Sequence, residues 1–245
     1  MAENFFSLYD SVISSVPSGP KITDTCAGER WSMACHEENA AIAMFTSGSS
    51  IAPMFPGGLV GLDTAEAARA IKSWNLEEAS LALAAVNAAL NTEERVRMLH
   101  AAYGMDRYYT EGLDFRGKTV GLIGHMKGSP EMRRDAKQVC IIEREPQEGD
   151  YPDAACDLIL PLCDIVIITG SALINKTLPH LLELCRNAYT ILTGPSVPLC
   201  PALLEHGIDR ISGMVVTDTE GMRNHVMTGQ RGNPFAYGKP FLLVK

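Results

Sequence analysis

Along residues 119–216, apolar runs rich in β-branched residues alternate with helical stretches, and several runs end in a glycine-bearing turn. The runs are 119–124 (TVGLIG), 138–143 (QVCIIE), 164–170 (DIVIITG), 188–194 (AYTILTG) and 209–216 (DRISGMVV). Residues 129–137, 153–160, 177–187 and 201–206 lie between them and are long enough for helical turns. Strands that read as continuous Val, Ile and Leu are buried on both faces, as in a parallel sheet covered by helices. This rhythm predicts an α/β domain, a Rossmann-like doubly wound parallel sheet of five strands. With the order 3-2-1-4-5, strands one and four are neighbours, and a ligand sits beyond the carboxyl ends where the order reverses.

The first hundred residues have a different pattern. Residues 4–16 place Phe5, Leu8, Val12 and Val16 on one face and stop at Pro17, which predicts an amphipathic helix. A hairpin over 21–26 and 30–36 follows, with a third strand at 40–46 and a Gly- and Pro-rich loop at 53–61. Three helices come next. Asp63 or Thr64 caps one through Ile71, Asn75 with Glu78 opens the second in the manner of a capping box, and Thr92 opens a third that ends at Gly104. Strands before helices predict a small α+β domain over 1–104. A connector and hinge near 104–118 leads into the α/β domain over 105–245.

Composition narrows the function. The chain has 245 residues, 46% of them hydrophobic, so it can bury a sizeable core. A net charge of −8 argues against nucleic acid or an anionic membrane as partner. Apolar stretches are strand-length, and no Lys or Arg precedes Lys21, so neither a membrane span nor a secretory signal is expected. A cytoplasmic location is the expectation. Seven cysteines without a C-x-x-C pair read as reduced thiols and not as a disulfide framework.

Candidate chemistry gathers at the strand ends. Gly124-His125-Met126-Lys127-Gly128-Ser129-Pro130 follows the first strand, with Ser129 as cap and Pro130 in the first turn, and its free amides suit an anion. Glu143 ends the second strand, where a dinucleotide fold keeps its ribose-binding acid. The G-x-G-x-x-G fingerprint is nevertheless broken by Met126 and Ser129, or by Ile123 when counted from Gly121, so NAD is not expected as cofactor. Thr169-Gly170-Ser171-Ala172, with Asn175 and Thr177 beyond, and Gly194-Pro195-Ser196 follow the next two strands. Helix capping explains such residues one at a time. It does not explain why all of them fall on one edge of the sheet.

These residues carry a resemblance. The segments 120–124, Glu143, Gly149-Asp150, 164–170, Asn175-Lys176-Thr177 and Gly194-Pro195-Ser196 resemble the family called putative heavy-metal chelation domain, which is Rossmann-like. Residues 77–90 (EEASLALAAVNAAL) are similar to its companion domain, which resembles the N-terminal domain of enolase. The resemblance implies an interdomain cleft lined by the strand-end loops and by the helix carrying Asn87. The implied ligand-binding residues are Asn87, Gly124, His125, Glu143, Thr169, Gly170, Asn175, Thr177, Gly194, Pro195 and Ser196. The implied function is binding of a small anionic or metal-chelating ligand, with a chelated metal ion as the cofactor this suggests. The alternative is an enzyme acting on a nucleotide or phosphorylated metabolite, with Glu143 or His125 as acid or base. An interaction protein is the third reading, and homo-oligomerisation stays open.

Metal ligands are not legible. Cys26, Cys35, His36, Glu37 and Glu38 form the one compact cluster of suitable side chains in the sequence. Cys35 and His36 are adjacent and point to opposite faces of a strand, and no zinc spacing is present. Cys140, Cys156, Cys163 and Cys185 read as small buried hydrophobes. His180 and His206 lie within or at the ends of helices, whereas His125 sits in the first crevice loop.

Overall fold

The computed structural model describes residues 5–104, 109–126, 128–229 and 232–245. The first part of the chain builds a three-stranded antiparallel sheet from β1 (Ile22–Ala27), β2 (Trp31–His36) and β3 (Asn39–Met44), in sequence order. Before it, α1 (Ser7–Ser14) buries Leu8, Tyr9 and Val12, the face its spacing predicts, while Asn4 lies outside the described residues. After it come α2 (Thr64–Ala68), α3 (Leu76–Leu90) and α4 (Glu93–Met98). Their caps are those expected: Asp63 accepts from the Ala65 amide, Asn75 from Glu78 and Thr92 from Arg95. The capping box at α3 is only half made. Glu78 turns its carboxylate to the amides of Met54 and Phe55, at 2.7 and 2.6 Å, and so pins the Gly- and Pro-rich loop.

One helix is shorter than its sequence suggests. Instead of running to Gly104, α4 stops at Met98, His100 adopts a left-handed φ of 50°, and β4 (Ala102–Tyr103) follows. A left-handed residue cannot continue the helix, and the chain leaves as an edge strand. The connector expected at 104–118 is described only from Tyr109 onward beyond this point.

The five predicted strands are all present and mutually parallel: β5 (Thr119–Ile123), β6 (Gln138–Glu143), β8 (Ile165–Thr169), β9 (Tyr189–Thr193) and β10 (Arg210–Val216). Short β7 (Tyr151–Pro152) extends one edge, and β11 (Gly238–Val244) pairs antiparallel with β10 on the other. The sheet has eight strands, ordered β4-β11-β10-β9-β8-β5-β6-β7. The five parallel strands therefore run 2-1-3-4-5, which corrects the expected 3-2-1-4-5. The crossover from β6 to β8 explains the difference. Through α6 (Cys156–Ile159) and the turn after it, this crossover lies directly on β5 at Gly121. A Cβ there would come within 3.0 Å of Leu160 and 3.2 Å of Cys163 Sγ. The chain thus passes over β5 and lays β8 on its far side. The order now reverses between β5 and β8, the switch point of a flavodoxin-like sheet.

The remaining helices are short. They are α5 (Pro130–Asp135), α7 (Ser171–Ile174) and α8 (Leu178–Leu184), while 201–206 is a 3-10 turn; only α9 (Thr219–Thr228) exceeds two turns. One hydrophobic core joins both parts of the chain, from Leu8, Ala34 and Leu83 to Val166, Ile168 and Ile211. The other face of the large sheet packs Val120, Leu122, Ile167 and Ile191 against Phe115 and Met132.

A buried cation strains this core. Lys176 adopts a φ of 67° and is only 3% exposed, yet its Nζ donates to the Ile174 carbonyl at 2.6 Å and faces the Tyr9 ring at 5.9 Å. Burial alone lowers its pKa from 10.5 to about 8. The unfolded chain therefore holds the proton between pH 8 and 10.5 while the folded chain does not, so this group's penalty is full below pH 8 and fades as pH rises. Lys176→Met is expected to stabilise the protein by about 1–3 kcal/mol at pH 7. Urea unfolding at both pH values should show most of that gain gone by pH 10.

Candidate functional site

Register along the carboxyl edge builds the site. Ile123 pairs with Ile142 on one side and Ile168 on the other, so Gly124 stands beside Glu143 and Thr169. Thr169 pairs with Thr193, and Thr193 with Ser212. Register partners on parallel strands project from the same face. Three hydroxyls thus form a row across β8, β9 and β10. Thr169 Oγ1 accepts from Ser171 Oγ at 3.2 Å. Thr193 Oγ1 and Ser212 Oγ have no hydrogen-bond partner among the described residues, though these side chains are 2% and 0% exposed.

Glycines let the loops close up around this row. Gly124 takes a φ of 100°, and a Cβ on it would lie 3.1 Å from the Thr169 methyl. A Cβ on Gly170 would lie 2.6 Å from Val197 Cγ2 and 3.1 Å from Ser196 Cβ. A larger residue at Gly170 would displace Ser196 and Val197, and at Gly124 the positive φ already strains any side chain.

Next to Gly124 is an ordered histidine. The His125 amide donates to Glu143 Oε2 at 2.8 Å, and Asp150 accepts from His125 Nδ1 at 3.0 Å. The Asp150 side chain is 4% exposed and also accepts from the Gln147 amide. That amide first, and His125 second, hold its carboxyl below the usual range. With Nδ1 committed as donor, Nε2 is the nitrogen left to accept a proton or a ligand donor.

Two asparagines tie the small sheet to the strand ends. Asn87 Nδ2 donates to the carbonyls of Ile42 at 3.1 Å and Pro195 at 3.5 Å, while its Oδ1 has no partner among the described residues. One turn on, Asn91 donates to Val197 and Met214 carbonyls at 2.9 and 3.2 Å and accepts from Leu199 N at 2.7 Å. Ser196 Oγ accepts from the Met44 amide at 2.8 Å.

The sequence-predicted residues therefore fall into two adjoining groups. Gly124, His125, Glu143 and Thr169 meet at the switch point, and Gly170, Gly194, Pro195, Ser196 and Asn87 meet beside it. The pairing of loop 124–129 with loop 194–198, expected from the order 3-2-1-4-5, gives way to a pairing with Thr169. Asn175 stands apart: its Oδ1 accepts from the Thr177 amide and hydroxyl, at 3.1 and 2.6 Å, a local turn bond. The helix-terminus argument for anions also weakens, since α5, α7 and α8 are too short to carry an appreciable dipole. Thr193, Ser212, Asn91 and Asp150 were not singled out as site residues, although the repeated I-(I/L)-T-G at 167–170 and 191–194 marks both threonines. Among the described residues, no three His, Cys, Asp or Glu side chains converge to hold a metal ion.

Fold and site define a Rossmann-like α/β protein with a small N-terminal sheet tied over its strand ends. The chain belongs to the DUF364 family, described as putative heavy-metal chelation, whose model matches residues 112–241; the DUF4213 model, with the same description, matches 9–90. A crystal structure of a DUF364-family protein of unknown function from Desulfitobacterium hafniense is 32% identical, with a TM-score of 0.87 over 99% of this chain and 100% of that one. A second, from Pyrococcus horikoshii, shares the fold at a TM-score of 0.76 and 20% identity, over 98% and 100% of the two chains. An uncharacterized protein of Methanocaldococcus jannaschii is 28% identical over 157 residues, 60% of this chain and 58% of that protein's length.

Asn91→Ala strands two carbonyls and an amide, and is expected to cost about 2–4 kcal/mol. Asn87→Ala removes weaker bonds and an unpartnered oxygen, and should cost about 1–2 kcal/mol. Urea unfolding of both variants tests the ranking. Calorimetric titration with NAD is expected to show no low-micromolar binding, because Met126 packs against the sheet face where a dinucleotide fold has its second glycine.

Proposed function

We propose that the protein binds a small oxygen-rich anion, free or as the organic shell of a chelated metal, in the crevice at the carboxyl edge of the large sheet. The observation that carries this reading is the pair of buried, unpartnered hydroxyls of Thr193 and Ser212. A buried hydroxyl without a partner costs about 1–3 kcal/mol, and an acceptor on a ligand would recover that cost. The half-exposed His125 adds an imidazole beside Gly124. A bare heavy-metal ion fits these residues poorly, since neutral hydroxyls are weak ligands for soft metals and His125 Nδ1 is committed to Asp150. The organic part of a chelate suits them, which brings the family description into line with the donor set. The net charge of −8 favours a small ligand over nucleic acid.

One observation favours a second reading. The His125–Asp150 pair orients a half-exposed histidine beside Gly124 through Nδ1, as an acid–base catalyst acting on a phosphorylated metabolite would need.

Native mass spectrometry of freshly purified protein should show a small anion or chelate retained at one per chain. Thr193→Val and Ser212→Ala are expected to lose it while stability stays level or rises by about 1 kcal/mol, because each removes an unsatisfied group. Retention in both variants would overturn the reading. So would the absence of any retained ligand together with no rise in Tm from phosphate, citrate or nickel citrate.

A further inference from the structure

Away from the crevice, sulfur is concentrated between the small sheet and α9. A compact cluster there buries Met33, Cys35, Met214 and Met222, and Cys26 packs against it from the partly exposed side. Five sulfur-bearing residues thus share one cluster, from two strands of one sheet, one strand of the other, and a helix.

The register of β1 and β2 sets the spacing of the two thiols. Asp24 pairs with Cys35 and Cys26 with Met33, so all four side chains share the face turned toward α9. Cys26 and Cys35 are diagonal neighbours, and such pairs hold their Cβ atoms somewhat under about 7–8 Å apart. A disulfide needs Cβ atoms at about 3.5–4.5 Å, closer than this pairing brings them. A linear S–M–S unit with bonds of about 2.3 Å separates its sulfurs by about 4.6 Å. The pair is too wide for a covalent bridge and suited to a two-coordinate ion.

The surroundings select among ions. Thiolate and thioether sulfur is soft and favours Cu(I) over harder cations. Arg223 donates to Cys35 Sγ at 3.5 Å and is ion-paired with Asp24. A monovalent ion held by two thiolates leaves one net negative charge, and the guanidinium sits where that charge forms. The other thiols lack such a neighbour. Burial pushes Cys156 and Cys163 up to about 11 and Cys185 up to about 12, with no cation to oppose it.

We propose that Cys26 and Cys35 form a binding site for a soft monovalent d10 cation, Cu(I) or Ag(I), at the edge of the cluster that contains Met33, Met214 and Met222. Binding releases both thiol protons to solvent: two R–SH and M⁺ give (R–S)₂M⁻ and two H⁺, with no change of oxidation state. The site needs two ligands, which agrees with the absence of any three-residue His, Cys, Asp or Glu group among the described residues. It does not depend on the crevice reading, and either can fail alone.

The test uses the full chain, reduced and under nitrogen. Cu(I) is titrated against bicinchoninate, and Ag(I) serves as a redox-inert second probe. One ion per chain is expected, with Cys26→Ser and Cys35→Ser each weakening it by more than about 100-fold, beyond the usual loss from an outer-shell change. Cys140→Ser should leave affinity unchanged. Peptide mapping of the wild-type chain covers the case in which a variant misfolds, since one equivalent of Ag(I) should block alkylation of Cys26. Unchanged affinity in the Cys26 and Cys35 variants, no stoichiometric binding, or unprotected Cys26 would each overturn the proposal.

Discussion

A helix that is apolar on every side has to be enclosed on every side, and α3 imposes that constraint on this molecule. Twelve of its fifteen residues are buried, and six of those are alanine, so β2 and β3 approach it closely on one flank. The other flank must be covered by something else, and the strand ends of the large sheet with α7 supply the cover. The single core that runs from Leu8 to Leu243 follows from this. Asn87 and Asn91 are spaced one turn apart along α3, so both face the same way. They meet the backbone of loop 194–198 and of β10, where backbone polar groups at the strand ends need partners. Enclosure of the helix brings the small sheet against the carboxyl edge, and the asparagines set its position there.

Much of the fold was readable before any coordinates. The continuous Val, Ile and Leu runs correctly marked five strands buried on both faces, and Asp63, Asn75, Thr92 and Ser129 correctly marked helix starts. Strand order was not readable, because it depends on where a crossover packs. The deciding contact, Leu160 and Cys163 over Gly121, joins residues forty apart in the chain. The last strand was passed over because GKPFLLV opens with glycine and proline, and it pairs antiparallel with β10 one place in from the edge strand β4. At the site, the loops were legible as polar turns at strand ends. The hydroxyl row was not, because Thr193 and Ser212 become neighbours only once β9 and β10 are in register. Asn91 carried no local signal, because its partners Val197, Leu199 and Met214 lie far along the chain.

Two kinds of chemistry occupy different parts of the same chain. The strand-end row offers hydroxyls, with an imidazole beside it, which are hard oxygen and nitrogen groups. The cluster beneath α9 offers thiols and thioethers, which are groups for polarizable cations. The two are connected through β10, which carries Ser212 on the row and Met214 in the sulfur cluster, two residues apart on the same face.

Gly170 marks a tight fit between two strand-end loops of the large sheet, one of which also holds the small sheet. Its backbone lies against Ser196 and Val197 with no room for a methyl group, and Ser196 in turn holds the Met44 amide at the end of β3. A side chain at 170 would act as a wedge, and its thrust would pass through Ser196 into the small sheet. One missing methyl group therefore couples the packing of two strand-end loops to the bond that anchors the end of β3.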